Sequence, residues 1–396
     1  MPDPMKTILL VSELGGGLGH IAPLLSVARR IQAKTGSRSK TRMVLACQDA
    51  ISCRKTFKDI PFAVVNAPVL EPNVELTSHS SSYAEILAKF GYSRKSILSA
   101  AVSSWDDLFK ITKADLIIAD HSPTACLAAR GKIPVVQIGT GFTIPPLGLP
   151  NFPALRSGSA PPIIQGAILN TVNELLQSRK QAQLGALPEI LDTEARAIFT
   201  LPQLDPYGPI RNEQVLGSYH EGLKPLEAPK APEIFLYLSE AVQNLEPVLQ
   251  LATQNGLGLS AYLGSDKSSV SQLLKIRGAT VYENPPDLSD ILKRASIVVS
   301  HGGTGLATAA LICGRPQIFL PRYVESEITA QRIQAMGAGI VVEEDWDKKL
   351  VQEIKSMIAE PSYADCAHKI ATKIEKLELP DKPVDIAADA ALNLLA

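Results

Sequence analysis

The sequence predicts an α/β fold made of two doubly wound domains, each a parallel sheet covered by helices on both faces. Short, nearly continuous apolar runs alternate with segments of helical periodicity, which is typical of buried parallel strands. Two of these strands lead through a glycine-rich turn into a helix, and a proline-rich stretch at 217–232 separates the two halves. We therefore expect an N-terminal domain over 1–222 and a C-terminal domain over 223–396, and allow for the last helix to pack back on the first domain.

Composition and charge exclude several classes of protein. With 45% hydrophobic and 20% charged residues, the chain has the composition of a globular protein. A formal net charge of −1 gives no reason to expect nucleic acid or an acidic membrane as a partner. The five cysteines are widely spaced and odd in number, which favours reduced thiols and no metal site. No apolar run approaches the roughly 18 residues of a membrane span, so we expect a cytoplasmic protein.

The N-terminal half begins with a strand, Ile8–Val11, followed by the glycine-rich turn Ser12–His20 and a helix from Ile21. The other predicted strands of this half are Met43–Ala46, Phe62–Val65, Asp115–Ala119, Pro134–Ile138 and Phe199–Leu201. Helices are predicted as two stretches within 83–110, from Thr124, and over Ile163–Lys180. The stretch 139–162 is rich in glycine and proline and fits neither period. Long loops of this kind often shape binding sites.

The C-terminal half is organised around the segment Ala295–Arg315. Its strand Ile297–Val299 stops at Ser300, and a glycine-rich turn then leads into an alanine-rich helix. The other predicted strands are Ile234–Leu238, Gly258–Leu263, Thr280–Tyr282, Gln317–Leu320 and Gly339–Val342. The other predicted helices are Leu245–Gln254, Val270–Lys275, Leu288–Arg294, Ile328–Met336, Lys348–Ile358, Tyr363–Leu377 and Val384–Leu395.

The turn in this segment is a candidate phosphate site, with a plain tight turn as the alternative. Glycines allow close approach of a ligand to the backbone, and the free N–H groups of the next helix favour an anion. His301 opens the turn and could donate a bond to a diphosphate oxygen, or be an ordinary histidine at a strand end. Glu325 and Glu327 follow a later strand and precede a helix. They could accept bonds from sugar hydroxyls or simply favour the helix N-terminus.

His20 and Asp120 both follow strands of the first half, at the edge where open α/β sheets bind ligands. Histidine suits a general base, and a carboxylate bonded to one ring nitrogen would orient the other toward a substrate proton. His20 could instead pack the turn, and Asp120 could cap the next helix, as could Ser122. His121 competes for the role of base, but adjacent residues at a strand end tend to point in opposite directions. We therefore prefer His20.

These stretches resemble the two-domain GT-B glycosyltransferases, in particular the inverting family of UDP-glycosyltransferases and bacterial natural-product glycosyltransferases. The resemblance covers most of the chain and rests on GGGLGHIAPLL near the N-terminus, ADLIIAD before His121, and SHGGTG with PRYVESEITAQRI in the second half. It implies two Rossmann-like domains facing each other across a cleft, the first binding the acceptor and the second a UDP- or dTDP-sugar. It also implies direct displacement with inversion, without a metal or cofactor.

By the same resemblance, His20 matches the general base and Asp120 the residue that orients it. The donor site would comprise Ser239, His301, Gly302, Gly303, Thr304, Gly305, Glu325 and Ser326. Phe142 and Phe152, with the apolar loop beside them, hint at a lipophilic or aromatic acceptor, although the same residues could simply be buried.

Three positions depart from the family pattern. Leu306 stands where many relatives have a small hydroxyl residue, Ser326 where glutamine is usual, and Glu240 where glycine is common. These departures motivate a second hypothesis, a catalytically silent GT-B protein that binds a nucleotide sugar or a partner. A nucleotide-sugar epimerase of the same fold is a third. The usual residue that stacks on the base cannot be placed near Asn284.

Overall fold

The computed structural model describes residues 5–15, 19–36, 41–72, 80–155, 162–238, 244–264 and 269–396. The chain divides into two compact units, 1–219 with 380–396, and 220–379. The boundary lies three residues before the predicted one, and the last helix belongs to the first unit rather than to the second. Among the described residues, no helix is both long and apolar enough to cross a membrane.

The first unit contains a six-stranded sheet in the order β3-β2-β1-β4-β5-β6, with every neighbouring pair parallel. Its strands are β1 (Lys6–Ser12), β2 (Thr41–Cys47), β3 (Ala63–Asn66), β4 (Leu116–Asp120), β5 (Val135–Gly139) and β6 (Ala195–Ile198). Its helices are α1 (Ile21–Thr35), α2 (Ala50–Thr56), α3 (Tyr83–Lys89), α4 (Lys95–Thr112), α5 (Pro123–Ala129), α6 (Pro162–Ser178) and the last helix, α14 (Pro383–Leu395). The strand order reverses between β1 and β4, where doubly wound sheets form a binding crevice.

The second unit repeats this design in the order β12-β11-β10-β7-β8-β9, again with parallel pairs throughout. Its strands are β7 (Glu233–Tyr237), β8 (Gly258–Tyr262), β9 (Thr280–Tyr282), β10 (Ala295–Ser300), β11 (Gln317–Phe319) and β12 (Gly339–Val341). Its helices are α7 (Glu246–Gln254), α8 (Ser269–Ile276), α9 (Leu288–Arg294), α10 (Thr304–Ile312), α11 (Val324–Ala335), α12 (Trp346–Ala359) and α13 (Ser362–Glu375). The strand order reverses between β7 and β10, so the glycine-rich turn after β10 lies at the corresponding switch point.

Helix α14 packs on the first unit through both apolar and charged contacts. Val384, Ala387, Ala388 and Ala391 are buried in the same core as β1, β4 and α1. On the exposed side, Arg30 and Lys34 of α1 form ion pairs with acidic side chains of α14. Because exposed ion pairs contribute little, the buried apolar face accounts for most of the attachment of this helix.

The predicted α/β fold with two doubly wound sheets is confirmed, but some elements begin elsewhere. The last strand of the first sheet is Ala195–Ile198 rather than Phe199–Leu201, because after Ile198 only one further ladder bond forms, from Phe199 to Gly139. Helix α2 was missed, since its seven residues bury only Cys53 and show no clear period. Helix α11 begins at Val324, so Glu325 and Glu327 lie in its first turn rather than before it.

Candidate functional site

The structure brings His20 and Asp120 together at the switch point of the first sheet. Asp120 ends β4, directly opposite the end of β1 at Ser12, and His20 precedes α1. Nδ1 of His20 lies 2.8 Å from Oδ1 of Asp120. Since an ionised carboxylate only accepts, Nδ1–H is the donor, and the neutral ring then carries its lone pair on Nε2. The Asp120 side chain is 2% exposed and that of His20 is 12% exposed, so solvent competes little for this bond.

Glycine residues make room for both members of this pair. Gly15 has φ of +83°, and a Cβ atom there would lie 2.2 Å from Nε2 of His20. At Gly139, a Cβ atom would lie 3.1 Å from Oδ1 of Asp120 and 2.4 Å from Oγ1 of Thr143. The imidazole can therefore take its position only because residue 15 lacks a side chain, and a side chain at residue 139 would overlap Thr143 and crowd the carboxylate. Sequence reasoning treated Gly15 as part of a glycine-rich turn and missed its close contact with the imidazole.

His121 lies closer to His20 than predicted. Its backbone is left-handed, with φ of 45°, and its ring centroid is 5.2 Å from that of His20. Burial, and then repulsion from His20 whenever that ring is protonated, hold the pKa of His121 well below its usual value, so the ring of His121 stays neutral. Among the described residues, neither ring nitrogen of His121 has a hydrogen-bond partner. His121 thus lacks the orienting carboxylate that His20 has.

Phe142 and Phe152 belong to a buried aromatic cluster. They are 3% and 2% exposed, and their ring centroids lie 6.0 and 5.0 Å from that of Tyr83. The side-chain amide of Gln165 both donates to and accepts from the Phe152 backbone, each bond being 2.9 Å long. Both phenylalanines are therefore buried, as the alternative interpretation of these residues stated. Phe142 contacts the His121 ring edge-on, whereas Phe152 is connected to that ring through Tyr83.

Two buried arginines fix the glycine- and proline-rich segment after β5. Arg211 donates to the carbonyl oxygens of Gly141 and Ile144 and pairs with Asp205. Arg196 donates to the carbonyl oxygen of Pro145. The carbonyl oxygens of this segment have no partner within a strand or helix, and the guanidinium groups supply the missing hydrogen bonds. These bonds fix the described part of the segment although it has no regular secondary structure.

In the second unit, His301 follows β10 at the switch point of the sheet. Its Nδ1 donates to the carbonyl oxygen of Leu320, 2.8 Å away, which fixes the orientation of the ring. The ring also packs against Trp346, with centroids 5.8 Å apart, a neighbour that sequence reasoning did not identify. Gly303 immediately precedes α10, whose first two residues are Thr304 and Gly305. The first N–H groups of α10 are therefore available to an anion.

The turn before α10 and the first turn of α11 are in direct contact. Gly302 has φ of +77°, and a Cβ atom there would lie 2.8 Å from the carbonyl oxygen of Ser326. The Thr304 hydroxyl donates to Oε1 of Glu325 across 3.0 Å. The structure thus brings the predicted diphosphate turn and the predicted sugar-binding carboxylate together on one side of the second sheet.

The positions that depart from the family pattern have structural roles of their own. Ser326 is buried, and its Oγ accepts from the Tyr323 amide and donates to the Tyr323 carbonyl oxygen, so it closes the first turn of α11. Leu306 packs in the core with Phe235 and Val298. The predicted donor residue Ser239, and Glu240 next to it, lie outside the described residues.

Comparisons with known proteins agree with this architecture. Residues 276–391 match the erythromycin biosynthesis protein CIII-like C-terminal domain. Elloramycin glycosyltransferase ElmGT of Streptomyces olivaceus is 32% identical over 101 residues, covering 26% of this chain and 25% of that protein. The chain thus matches about a quarter of the length of this curated relative.

Solved glycosyltransferase structures match over almost the whole chain. The calicheamicin glycosyltransferase CalG4 superposes with a TM-score of 0.64 at 16% identity, covering 99% of this chain and 98% of that one. SsfS6 of Streptomyces sp. SF2575, complexed with thymidine diphosphate, gives 0.59 at 18% identity and covers 97% and 99%. The GT-B fold and the resemblance to natural-product glycosyltransferases are therefore confirmed.

Proposed function

We propose that this chain, which has the GT-B fold and matches the erythromycin biosynthesis protein CIII-like C-terminal domain over residues 276–391, is itself a glycosyltransferase. It moves a sugar from a nucleotide-diphosphate donor to a hydroxyl of a small acceptor, with inversion at the anomeric carbon. The observation that carries this proposal is the buried hydrogen bond between His20 and Asp120 at the switch point of the first sheet. A protein that only binds a nucleotide sugar has no need of an oriented base.

In the proposed step, Nε2 of His20 removes the proton of the acceptor hydroxyl while the oxygen attacks the anomeric carbon. A bond forms between these two atoms, the bond from the anomeric carbon to the diphosphate oxygen breaks, and its electron pair leaves with the nucleoside diphosphate. Asp120 keeps the lone pair on Nε2 and stabilises the imidazolium that forms. The product sugar has inverted configuration, because attack and departure occur on opposite faces.

The donor diphosphate is assigned to the N-terminus of α10 and to His301. The helix N-terminus offers free N–H groups and a partial positive charge, and both stabilise the negative charge that grows on the leaving group. Glu325, held by Thr304, is the candidate acceptor of bonds from sugar hydroxyls. Thymidine diphosphate in the complex of the related SsfS6 supports a nucleotide diphosphate as the donor portion. We propose that no metal ion is required, because these groups supply the positive charge.

A small lipophilic or aromatic molecule is the proposed acceptor. The matched relatives are named for elloramycin and calicheamicin, which supports a small-molecule acceptor. Phe142 and Phe152 would act through the buried aromatic cluster that backs His20 and His121, rather than by direct exposure to the acceptor.

The alternative of a catalytically silent protein rested on the residues that depart from the family pattern, and two of them now have a structural explanation. Leu306 and Ser326 have packing and helix-capping roles that are compatible with an active donor site. The epimerase alternative predicts that the donor changes without any acceptor, which is directly measurable.

The test combines a panel of UDP- and dTDP-sugars with His20→Ala. We expect one donor to raise the melting temperature and to support transfer, and His20→Ala to abolish transfer while donor binding persists. His368→Ala, at an exposed position on α13, is the matched control and should transfer normally. Undiminished transfer by His20→Ala would contradict the base assignment. Donor conversion without acceptor would favour the epimerase.

A further inference from the structure

The turn after β1 is tied to the turn after β4 by two consecutive backbone N–H groups. The N–H of Glu13 donates to Oγ of Ser122, and the N–H of Leu14 donates to the carbonyl oxygen of His121, both across 2.9 Å. Ser122 in turn donates to the carbonyl oxygen of Asp120. His20 ends the first turn and Asp120 immediately precedes the second, so these bonds connect the two segments that carry the pair.

The side chain of Glu13 extends the same connection. Oε2 accepts from the backbone N–H groups of Thr124 and Ala125, at 2.9 and 3.3 Å, in the first turn of α5. The carbonyl oxygen of Glu13 accepts from the side chain of Gln48. Glu13 is 0% exposed, and among the described residues Oε1 has no hydrogen-bond partner. One residue at the end of β1 thus bonds to three segments of the first unit.

An ionised carboxyl group that is fully buried, as Glu13 is, destabilises the folded state. Burial raises the pKa of Glu13 to about 7, although the bonds from Thr124 and Ala125 lower it. Tyr83, Tyr92 and Cys126 are the ionisable groups of neighbouring elements that interact with it electrostatically, and all three are buried. None of these three groups is a cation that could stabilise the ionised carboxylate of Glu13. Buried carboxyl groups of this kind are concentrated at functional sites.

We propose that Glu13 is a positioning residue for the transfer reaction: its bonds to the first turn of α5 and to Ser122 hold the segment of His20 against the segment of Asp120. This inference rests on the proposed function, in which His20 is the base. Glu13 does not touch the reacting atoms. It acts by keeping the bond between His20 and Asp120 short, so that the lone pair of Nε2 faces the acceptor.

The principal test is Glu13→Ala. Because a small displacement of a catalytic group is costly, we expect kcat to fall about 10- to 100-fold, with the KM of the donor unchanged. Asp115→Ala is the matched control. Asp115 accepts from the Thr7 N–H across 2.7 Å and ties the same two strands, β1 and β4, at their opposite ends. This control should lower the melting temperature without lowering kcat.

A second readout does not depend on activity. In protein labelled with ¹⁵N-histidine, NMR identifies the ring nitrogen of His20 that carries the proton and detects the hydrogen bond of Nδ1–H. We expect the Nδ1–H signal to be present in the wild type and in Asp115→Ala, and weakened or lost in Glu13→Ala. Glu13→Gln retains an acceptor oxygen for Thr124 and Ala125, so it should restore both the signal and kcat to within about threefold.

If Glu13→Ala does not fold, Glu13→Met takes its place, because methionine has a similar volume and no acceptor oxygen for the N–H groups of Thr124 and Ala125. Loss of the Nδ1–H signal and of kcat in either variant supports the positioning role. Retention of both in folded Glu13→Ala, or in Glu13→Met where Glu13→Ala does not fold, overturns it. If the wild type transfers no sugar to any acceptor, the proposed function fails, while the NMR comparison still decides whether Glu13 positions His20.

Discussion

His301 donates its Nδ1 hydrogen to the carbonyl oxygen of Leu320, 2.8 Å away. A carbonyl oxygen can only accept, so in the neutral imidazole this bond leaves Nε2 without a hydrogen. An imidazole held in this way can donate to a phosphate oxygen from Nε2 only when it is protonated. Binding of the donor diphosphate at His301 is therefore expected to be coupled to uptake of a proton.

The first prediction concerns the pH dependence of donor affinity. Affinity for the nucleoside diphosphate should weaken as the pH rises, because binding through Nε2 requires His301 to take up a proton. Calorimetry in buffers of different ionisation enthalpy should detect uptake of up to one proton per diphosphate. In His301→Asn this uptake should disappear. Proton uptake that is equal in the variant and the wild type would contradict the role of His301.

The second prediction is that Asp120→Asn abolishes transfer while leaving donor affinity unchanged. The amide can donate to Nδ1 of His20, which favours the tautomer whose hydrogen is on Nε2. That tautomer has no lone pair facing the acceptor, so kcat should fall on the order of 1,000-fold or more. Transfer rates and donor titrations check this outcome. A fall in kcat below tenfold would show that Asp120 does not set the tautomer.

The third prediction is that Gly15→Ala impairs transfer beyond its effect on stability. Its Cβ atom would overlap the His20 ring, with 2.2 Å to Nε2, so the imidazole must shift. Gly131→Ala is the matched control, since Gly131 also has positive φ, +68°, but a Cβ atom there meets nothing within 4 Å. Both variants should lose roughly 1 kcal/mol of stability from backbone strain. Only Gly15→Ala should lose kcat, and equal kcat in the two variants would refute the contact.

The fourth prediction follows from the pKa of Glu13, which burial raises from 4.5 to about 7. The folded state therefore binds this proton more tightly than the unfolded state, and the contribution of Glu13 to the free energy of unfolding falls as the pH rises from 4.5 to about 7. A shift of this size corresponds to about 3 kcal/mol. Glu13→Gln cannot titrate, so its stability relative to the wild type should increase over this range. Urea unfolding near pH 5 and near pH 8 measures the difference, and a constant difference would refute the shifted pKa.

Much of the fold could be predicted because strand and helix periods are local properties of the sequence. Nearly continuous apolar runs, such as the one that forms β4, predicted buried parallel strands. The strand order then showed that both glycine-rich turns lie at switch points. Errors occurred where the local signal was weak. Helix α2 buries only one residue, and the last strand of the first sheet contains the polar Arg196 in a sequence that alternates poorly.

The sequence by itself determined that His20 and Asp120 follow strands of one sheet and that His301 precedes a helix, because order along the chain fixes which residues end a strand. Only the tertiary structure decided the partner of each side chain. The bond between His20 and Asp120 joins residues 100 positions apart and depends on the register of β1 and β4. Likewise, Ser326 closes a helix turn and Glu13 joins the turns after β1 and β4, because burial and distance depend on packing between segments that are remote in sequence.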